Sequence, residues 1–75
     1  MSPGKLDFAW RVAVGAAIAR ATEVRLRDDG CIEVLAREPS WRRELKRSQR
    51  TILARVQDLL GPEVATGLKV LGKGR

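Results

Sequence analysis

The sequence predicts an α+β domain of order α-β-β-α-β, with two helices packed on one face of a three-stranded mixed sheet. Three observations carry this. Apolar residues recur at helical spacing over 7–21 and 41–60, but alternate over 23–36 and 68–71. Asp28-Asp29-Gly30 separates the first two alternating runs and is turn chemistry. A right-handed strand-helix-strand crossover would then lay the third strand parallel to the second in the same sheet.

Residues 1–6, which include Pro3 and Gly4, read as a disordered N-terminus. Asp7 stands where it would cap a helix running to about Ala21. Trp10, Val14, Ala17, Ile18 and Ala21 form one apolar stripe on it, which Phe8, Val12 and Ala16 widen. Gly15 inside a helix costs about 1 kcal/mol relative to Ala, which points to a packing reason for it.

The period then changes to two. Val24 and Leu26 alternate with Glu23, Arg25 and Arg27, and Ile32, Val34 and Ala36 alternate with Cys31, Glu33 and Leu35. Asp29-Gly30 supplies the positive φ angles of a tight hairpin turn, which explains the acidic pair without a metal. Pro39 closes the second strand, Ser40 caps the next helix, and Gly61-Pro62 stops it. Leu68 and Val70, alternating with Lys69 and Leu71, form the third strand. A single domain over 7–71 is expected, with 72–75 as a basic tail. Glu23, Arg25, Arg27, Glu33, Leu35 and Lys69 fall on the sheet face away from the helices.

The run from Trp41 to Leu60 carries the most information. As one continuous helix at about 100° per residue, it gathers Trp41, Leu45, Ile52, Val56 and Leu59 within about 60°. Arg42, Arg43, Lys46, Arg47 and Arg50 spread over about 140° on the other side. Arg43 with Arg47, and Lys46 with Arg50, are like-charge pairs that each cost roughly 0.2–0.5 kcal/mol. Arg42 and Arg43 also sit in the first turn, where the helix dipole disfavours cations. A cluster that opposes two local stability rules points to a surface used on phosphates rather than to an incidental solvated face. Such a surface requires an unbroken rod whose guanidinium groups are not locked into carboxylates of the same molecule.

Composition narrows the function. The 75 residues hold 15 Lys and Arg against nine Asp and Glu, a formal charge of +6. Arg37 to Arg55 contributes seven basic and two acidic residues, so +5 of the excess lies there and +1 elsewhere. This is the footprint of a protein that meets nucleic acid or an acidic partner. Cys31 is the only cysteine and histidine is absent, so no disulfide or thiol cluster for zinc can form within the chain, and a reduced, cytoplasmic setting fits. Without histidine or a Walker-type glycine loop, the pattern speaks against an enzyme and implies no cofactor. The apolar run from Val12 to Ala19 is interrupted upstream by Asp7 and Arg11, unlike a signal peptide, and is too short to span a membrane.

Several motifs in this order resemble the DciA family, bacterial proteins associated with loading the replicative DNA helicase. The resemblance rests on Trp10 with Val14-Gly15 and Ile18-Ala19, then on Leu26 through Asp28-Asp29-Gly30 to Ile32 and Val34. It continues through Ser40-Trp41, Leu45, Ile52-Leu53, Val56 and Leu59-Leu60-Gly61, covering almost all of Phe8 to Val70. It implies a KH-like, non-enzymatic domain that engages DNA and the hexameric helicase. Members commonly carry a disordered extension beyond the domain. The sequence also lacks the Gly-x-x-Gly segment by which KH domains clamp a nucleic-acid backbone, so binding must use another surface.

The expected function is therefore a nucleic-acid-binding module, DNA before RNA, that contacts phosphates through Arg42, Arg43, Lys46, Arg47 and Arg50, helped by Arg25 and Arg27. Trp10 and Trp41 lie on apolar stripes and read as core anchors rather than base-stacking platforms, so binding should be phosphate-dominated. Five neutralised phosphates give a log-log salt slope of roughly −3.5 on single strands or −4.5 on duplex. The alternative is an adaptor that docks on the helicase or another acidic partner, using Leu35, Leu53 and Leu71 as apolar contacts.

Overall fold

A computed structural model describes residues 3–72; Met1, Ser2 and the tail residues Lys73, Gly74 and Arg75 lie outside the described residues. The elements are α1 (Pro3–Val14), α2 (Ala16–Ala21), β1 (Thr22–Leu26), β2 (Cys31–Ala36), α3 (Pro39–Arg47), α4 (Gln49–Leu60) and β3 (Gly67–Gly72). The α+β architecture and the strand pattern are as the sequence predicts, but each of the two helical runs is divided.

The sheet follows from the alternation. β1 pairs antiparallel with β2, Val24 opposite Val34 and Leu26 opposite Ile32. β3 adds parallel to β2, Val70 opposite Val34 and Leu68 opposite Ile32, giving the order β1-β2-β3. One face therefore presents Val24, Leu26, Ile32, Val34, Leu68 and Val70 to the core. The hairpin loop runs from Arg27 to Gly30, one residue longer than the Asp28-Asp29-Gly30 spacer read from sequence. The Arg27 N–H donates to the Cys31 carbonyl at 2.9 Å and the Gly30 N–H to the Arg27 carbonyl at 3.0 Å, with Gly30 at φ 91°. Asp29 acts as an Asx residue, its Oδ1 accepting from the Cys31 N–H at 3.0 Å.

The first helical run departs from its prediction in start, phase and continuity. It opens at Pro3, a residue suited to the first turn because its missing N–H has no helical partner there. Leu6 is thereby drawn inward, and the buried stripe is Leu6, Ala9, Trp10 and Ala13, at i, i+3, i+4 and i+7. Phe8 and Val12, assigned to the stripe from sequence, are instead 63% and 54% exposed, and Ala16 and Ala17 are exposed as well. At Gly15 the chain turns with φ 91° and ψ 162°, a region open essentially to glycine alone. Gly15 is thus a conformational requirement and not a packing one: a Cβ built there meets nothing within 4 Å. Beyond the break, Trp10 Nε1 donates to Thr22 Oγ1 at 2.9 Å, and Thr22 Oγ1 donates to the Ile18 carbonyl at 2.8 Å. This pair of bonds ties α1, α2 and the start of β1 together.

The second run begins two residues early: Glu38 takes the cap position in place of Ser40, without a side-chain capping bond, and Pro39 occupies the first helical position. It is not one helix either, because α3 and α4 meet at Ser48, which has φ −99° and ψ 13°. Leu45, Ile52 and Val56 are buried against the sheet. Leu53 and Leu60 also pack on this core, whereas Leu59 is 41% exposed. The bend rotates α4 so that its apolar side is the row 49/52/53/56/60, which leaves Leu59 outside. Gly61, at φ 96°, ends the helix, its N–H donating to the Gln57 carbonyl at 2.7 Å.

The Gly15 backbone gives a direct test. Gly15→Ala should lower the unfolding free energy by about 1–3 kcal/mol through strain alone. Urea denaturation followed by circular dichroism reads this, and a change below about 0.3 kcal/mol would show that the α1–α2 junction does not need a glycine.

Candidate nucleic-acid interface

The cations assigned from sequence fall into three structural groups. Arg43, Lys46, Arg47 and Arg50 are exposed along α3 and the first turn of α4. At i, i+3 and i+4 spacing their Cβ atoms are about 5–6 Å apart, so they form one ridge. Among the described residues, the only ion pair on it is Arg47 with Glu44, at 3.9 Å between exposed side chains, a distance and setting that contribute little. Among the described residues, Arg43, Lys46 and Arg50 have no ion pair or side-chain hydrogen bond.

Arg42 does a different task. Its Nη1 donates to the carbonyls of Ala36 and Arg37, both at 2.9 Å, and the residue is half-buried. Its guanidinium also lies over Gly72, where an added Cβ would come within 3.0 Å of Nε. Arg42 thus fastens the start of α3 to the end of β2, where strand carbonyls would otherwise lack donors.

Arg25 and Arg27 stand on the open sheet face with Glu33 between them. Arg25 Nη2 is 3.2 Å and Arg27 Nη1 3.0 Å from the two Glu33 oxygens, and Arg27 Nε is 3.8 Å from Asp29. Hydrogen bonds from Arg27 and then Arg25 hold the Glu33 carboxyl below its ordinary range, and the same bond to Glu33 raises the Arg27 guanidinium. Arg37 pairs with Glu23 at 3.3 Å on this side as well. The positive members of the sheet face are therefore largely neutralised in place.

The rod is bent at Ser48, so the strict requirement of an unbroken helix is not met. Continuity of a weaker kind persists. The Ser48 N–H donates to the Glu44 carbonyl at 3.1 Å and the Ser48 carbonyl accepts from the Ile52 N–H at 2.9 Å, so helical bonding runs through the bend and the four ridge cations keep adjoining positions. A serine at a helical midpoint is the signal that sequence reasoning passed over. It also passed over two glutamines. Gln49 Nε2 donates to the Leu68 carbonyl and Gln57 Nε2 to the Ala65 carbonyl, the latter at 2.8 Å, so both hold α4 against β3 and its approach.

The fold and this ridge define a small basic α+β domain with a cluster of four exposed cations on one helical edge. The chain matches the DciA family, described as "Dna[CI] antecedent, DciA", over residues 2–70, and it belongs to that family. It is similar to a UPF0232 protein of Mycolicibacterium smegmatis, 29% identical over 72 residues, 96% of this chain and 37% of that protein. A UPF0232 protein of Corynebacterium glutamicum is 32% identical over 69 residues, 92% of this chain and 39% of that protein. One of Mycobacterium tuberculosis is 30% identical over 72 residues, 96% of this chain and 38% of that protein. The chain thus spans less than two fifths of the length of these relatives. Among the described residues, no helix is long and apolar enough to cross a membrane.

The Glu33 cluster generates a pH prediction. Its carboxyl has a folded-state pKa below the unfolded value, so its stabilisation is present above the ordinary carboxylate range, about 4.3, and is lost as pH falls through the folded value. Wild type should be more stable than Glu33→Gln at neutral pH, and the gap should close as the solution is acidified. Urea midpoints across pH 2–7 read this, and a gap independent of pH would contradict the assignment.

Proposed function

We propose that this domain binds the phosphate backbone of DNA through Arg43, Lys46, Arg47 and Arg50, as the folded module of a helicase-loading protein working in the cytoplasm. One observation carries the reading: four exposed cations share a ridge on which, among the described residues, the only acidic partner is a single 3.9 Å contact at Glu44. A surface selected for folding alone would place carboxylates among them, as the open sheet face does around Glu33. Membership of the DciA family supports the same direction, since that family is linked to DNA replication and helicase loading.

Arg42, Arg25 and Arg27 stand outside the proposed contacts, because their guanidinium groups are engaged by Ala36, Arg37 and Glu33. Four phosphates then replace the five counted from sequence, for a log-log salt slope of about −2.8 on single strands and −3.6 on duplex. No catalytic step is assigned to the domain.

A second surface suits a protein partner, and the replicative helicase is the proposed one. Leu35 and Leu71 are register neighbours on the sheet face opposite the helices and are only half-buried. Leu53, grouped with them from sequence, is taken up by the core. The ridge and this patch thus suit two different tasks.

Fluorescence anisotropy over a salt series checks the leading reading. Arg43→Glu, Arg47→Glu should abolish measurable binding at moderate salt, whereas Arg25→Glu should weaken it by less than about threefold, the direction expected of a charge away from the phosphates. Equal affinity at low and moderate salt, or unchanged binding by the folded double variant, would remove the ridge from the site.

A further inference from the structure

Resting on the phosphate-binding reading, we infer that the groove between the Gly15 and Ser48 bends takes one unstacked base of single-stranded DNA whose phosphates lie on the ridge. The groove measures about 210 Å³, below the roughly 300–1,000 Å³ of pockets that hold drug-sized ligands. Val14 and Ile18 from the first bend, and Ile52 from the second, give it apolar walls, with the buried Leu45 beneath them. Glu44, Ser48, Thr51 and Arg55 line the other side at steps of four, three and four residues, which is one continuous stripe along α3 and α4.

That stripe is chemically mixed in the way a base edge requires. Glu44 accepts, the Ser48 and Thr51 hydroxyls both donate and accept, and Arg55 donates. Among the described residues, neither hydroxyl has a hydrogen-bond partner in the protein. Arg55 is already oriented, its Nη1 donating to the Ala13 carbonyl at 3.2 Å across the groove.

The occupant follows from what borders the stripe. Arg43 immediately precedes Glu44, Arg47 precedes Ser48 and Arg50 precedes Thr51, so a cation stands about 100° around the helix from each of these three groove residues. A polyanion tracking the ridge runs beside the groove for its whole length. The chemistry beside its phosphates is a planar, partly apolar ring with hydrogen-bonding edges. Walls of Val and Ile replace the aromatic platforms that single-strand binders generally use, in a domain where Trp10 is buried and Trp41 packs against the core. A base stacked inside a duplex cannot enter, so the groove confers a preference for single strands.

Anisotropy titrations of the full chain should compare a short oligo(dT) with a strand of equal phosphate count carrying abasic sites. Wild type is expected to bind oligo(dT) about tenfold more tightly. Thr51→Phe, a change at an exposed position that fills the groove, should bring that ratio to about one, and Thr51→Ser should preserve it. A mutation-free readout accompanies this: the Ile18 and Ile52 methyl resonances should shift with oligo(dT) and not with the abasic strand. A wild-type ratio near one, with salt-dependent binding of both strands, overturns the groove and leaves the phosphate ridge standing. Failure of both strands to bind at low salt overturns the ridge as well. A tenfold ratio retained by folded Thr51→Phe, or methyl groups indifferent to the base, also refutes the groove.

Discussion

The rest of this structure depends on fitting two long amphipathic runs onto one face of a very small sheet. Strands of five or six residues reach only about 17–20 Å, while an unbroken helix over 39–60 would extend about 33 Å, more than the 29 Å of the molecule's longest axis. Such a helix would carry part of its apolar side past the sheet into water. The bend at Ser48 resolves this by letting Leu45 and Val56, both fully buried, reach the sheet from two directions. Gly15 does the same for the first run, so that Trp10 enters the core while α2 turns back toward β1.

The same packing decides the electrostatics. Carboxylates are concentrated on the sheet and hairpin, where Glu33 holds Arg25 and Arg27, and Glu23 holds Arg37. Arg42 is drawn off by strand-end carbonyls. Exposed pairs of this kind contribute little stability each, but they occupy the anions beside Arg25, Arg27 and Arg37. The outer edge of α3 and the start of α4 is left with charge concentrated in sequence, +5 over residues 37–55, and almost no local partner. The bend also opens the groove that runs alongside this edge, so the ridge and the groove have a common origin in how the core closes.

What could be read from sequence was the part fixed by short-range periodicity. Alternation with period two placed Val24, Val34 and Val70 on one face and Arg25 and Glu33 on the other, and the pairing register follows it. The helices were legible in existence and less so in phase. A glycine required for positive φ and a glycine admitted for close packing look alike in a sequence, so Gly15 was given the wrong reason. Ser48 sits within a helical hydrogen-bond pattern on both sides and leaves no periodic mark, which is why Leu59 was drawn into the core in place of Leu53. Arg42 was counted as a free cation because its acceptors are backbone carbonyls at the end of β2, groups that exist as acceptors only once the sheet has formed. The pairing of Arg25 and Arg27 with Glu33 was within reach of the same alternation that placed them on one face.

The account's central claim is that clustered unneutralised charge, rather than total charge, locates the binding surface. Amide chemical-shift mapping of the isotopically labelled chain during titration with a single-stranded oligonucleotide at moderate salt tests it most directly. The account predicts that the largest shifts fall between Arg43 and Thr51 and on the facing Val14 to Ile18 segment, with Arg25, Arg27, Glu33 and Lys69 barely moved. Shifts centred on the open sheet face, with Arg43 to Thr51 undisturbed, would contradict it.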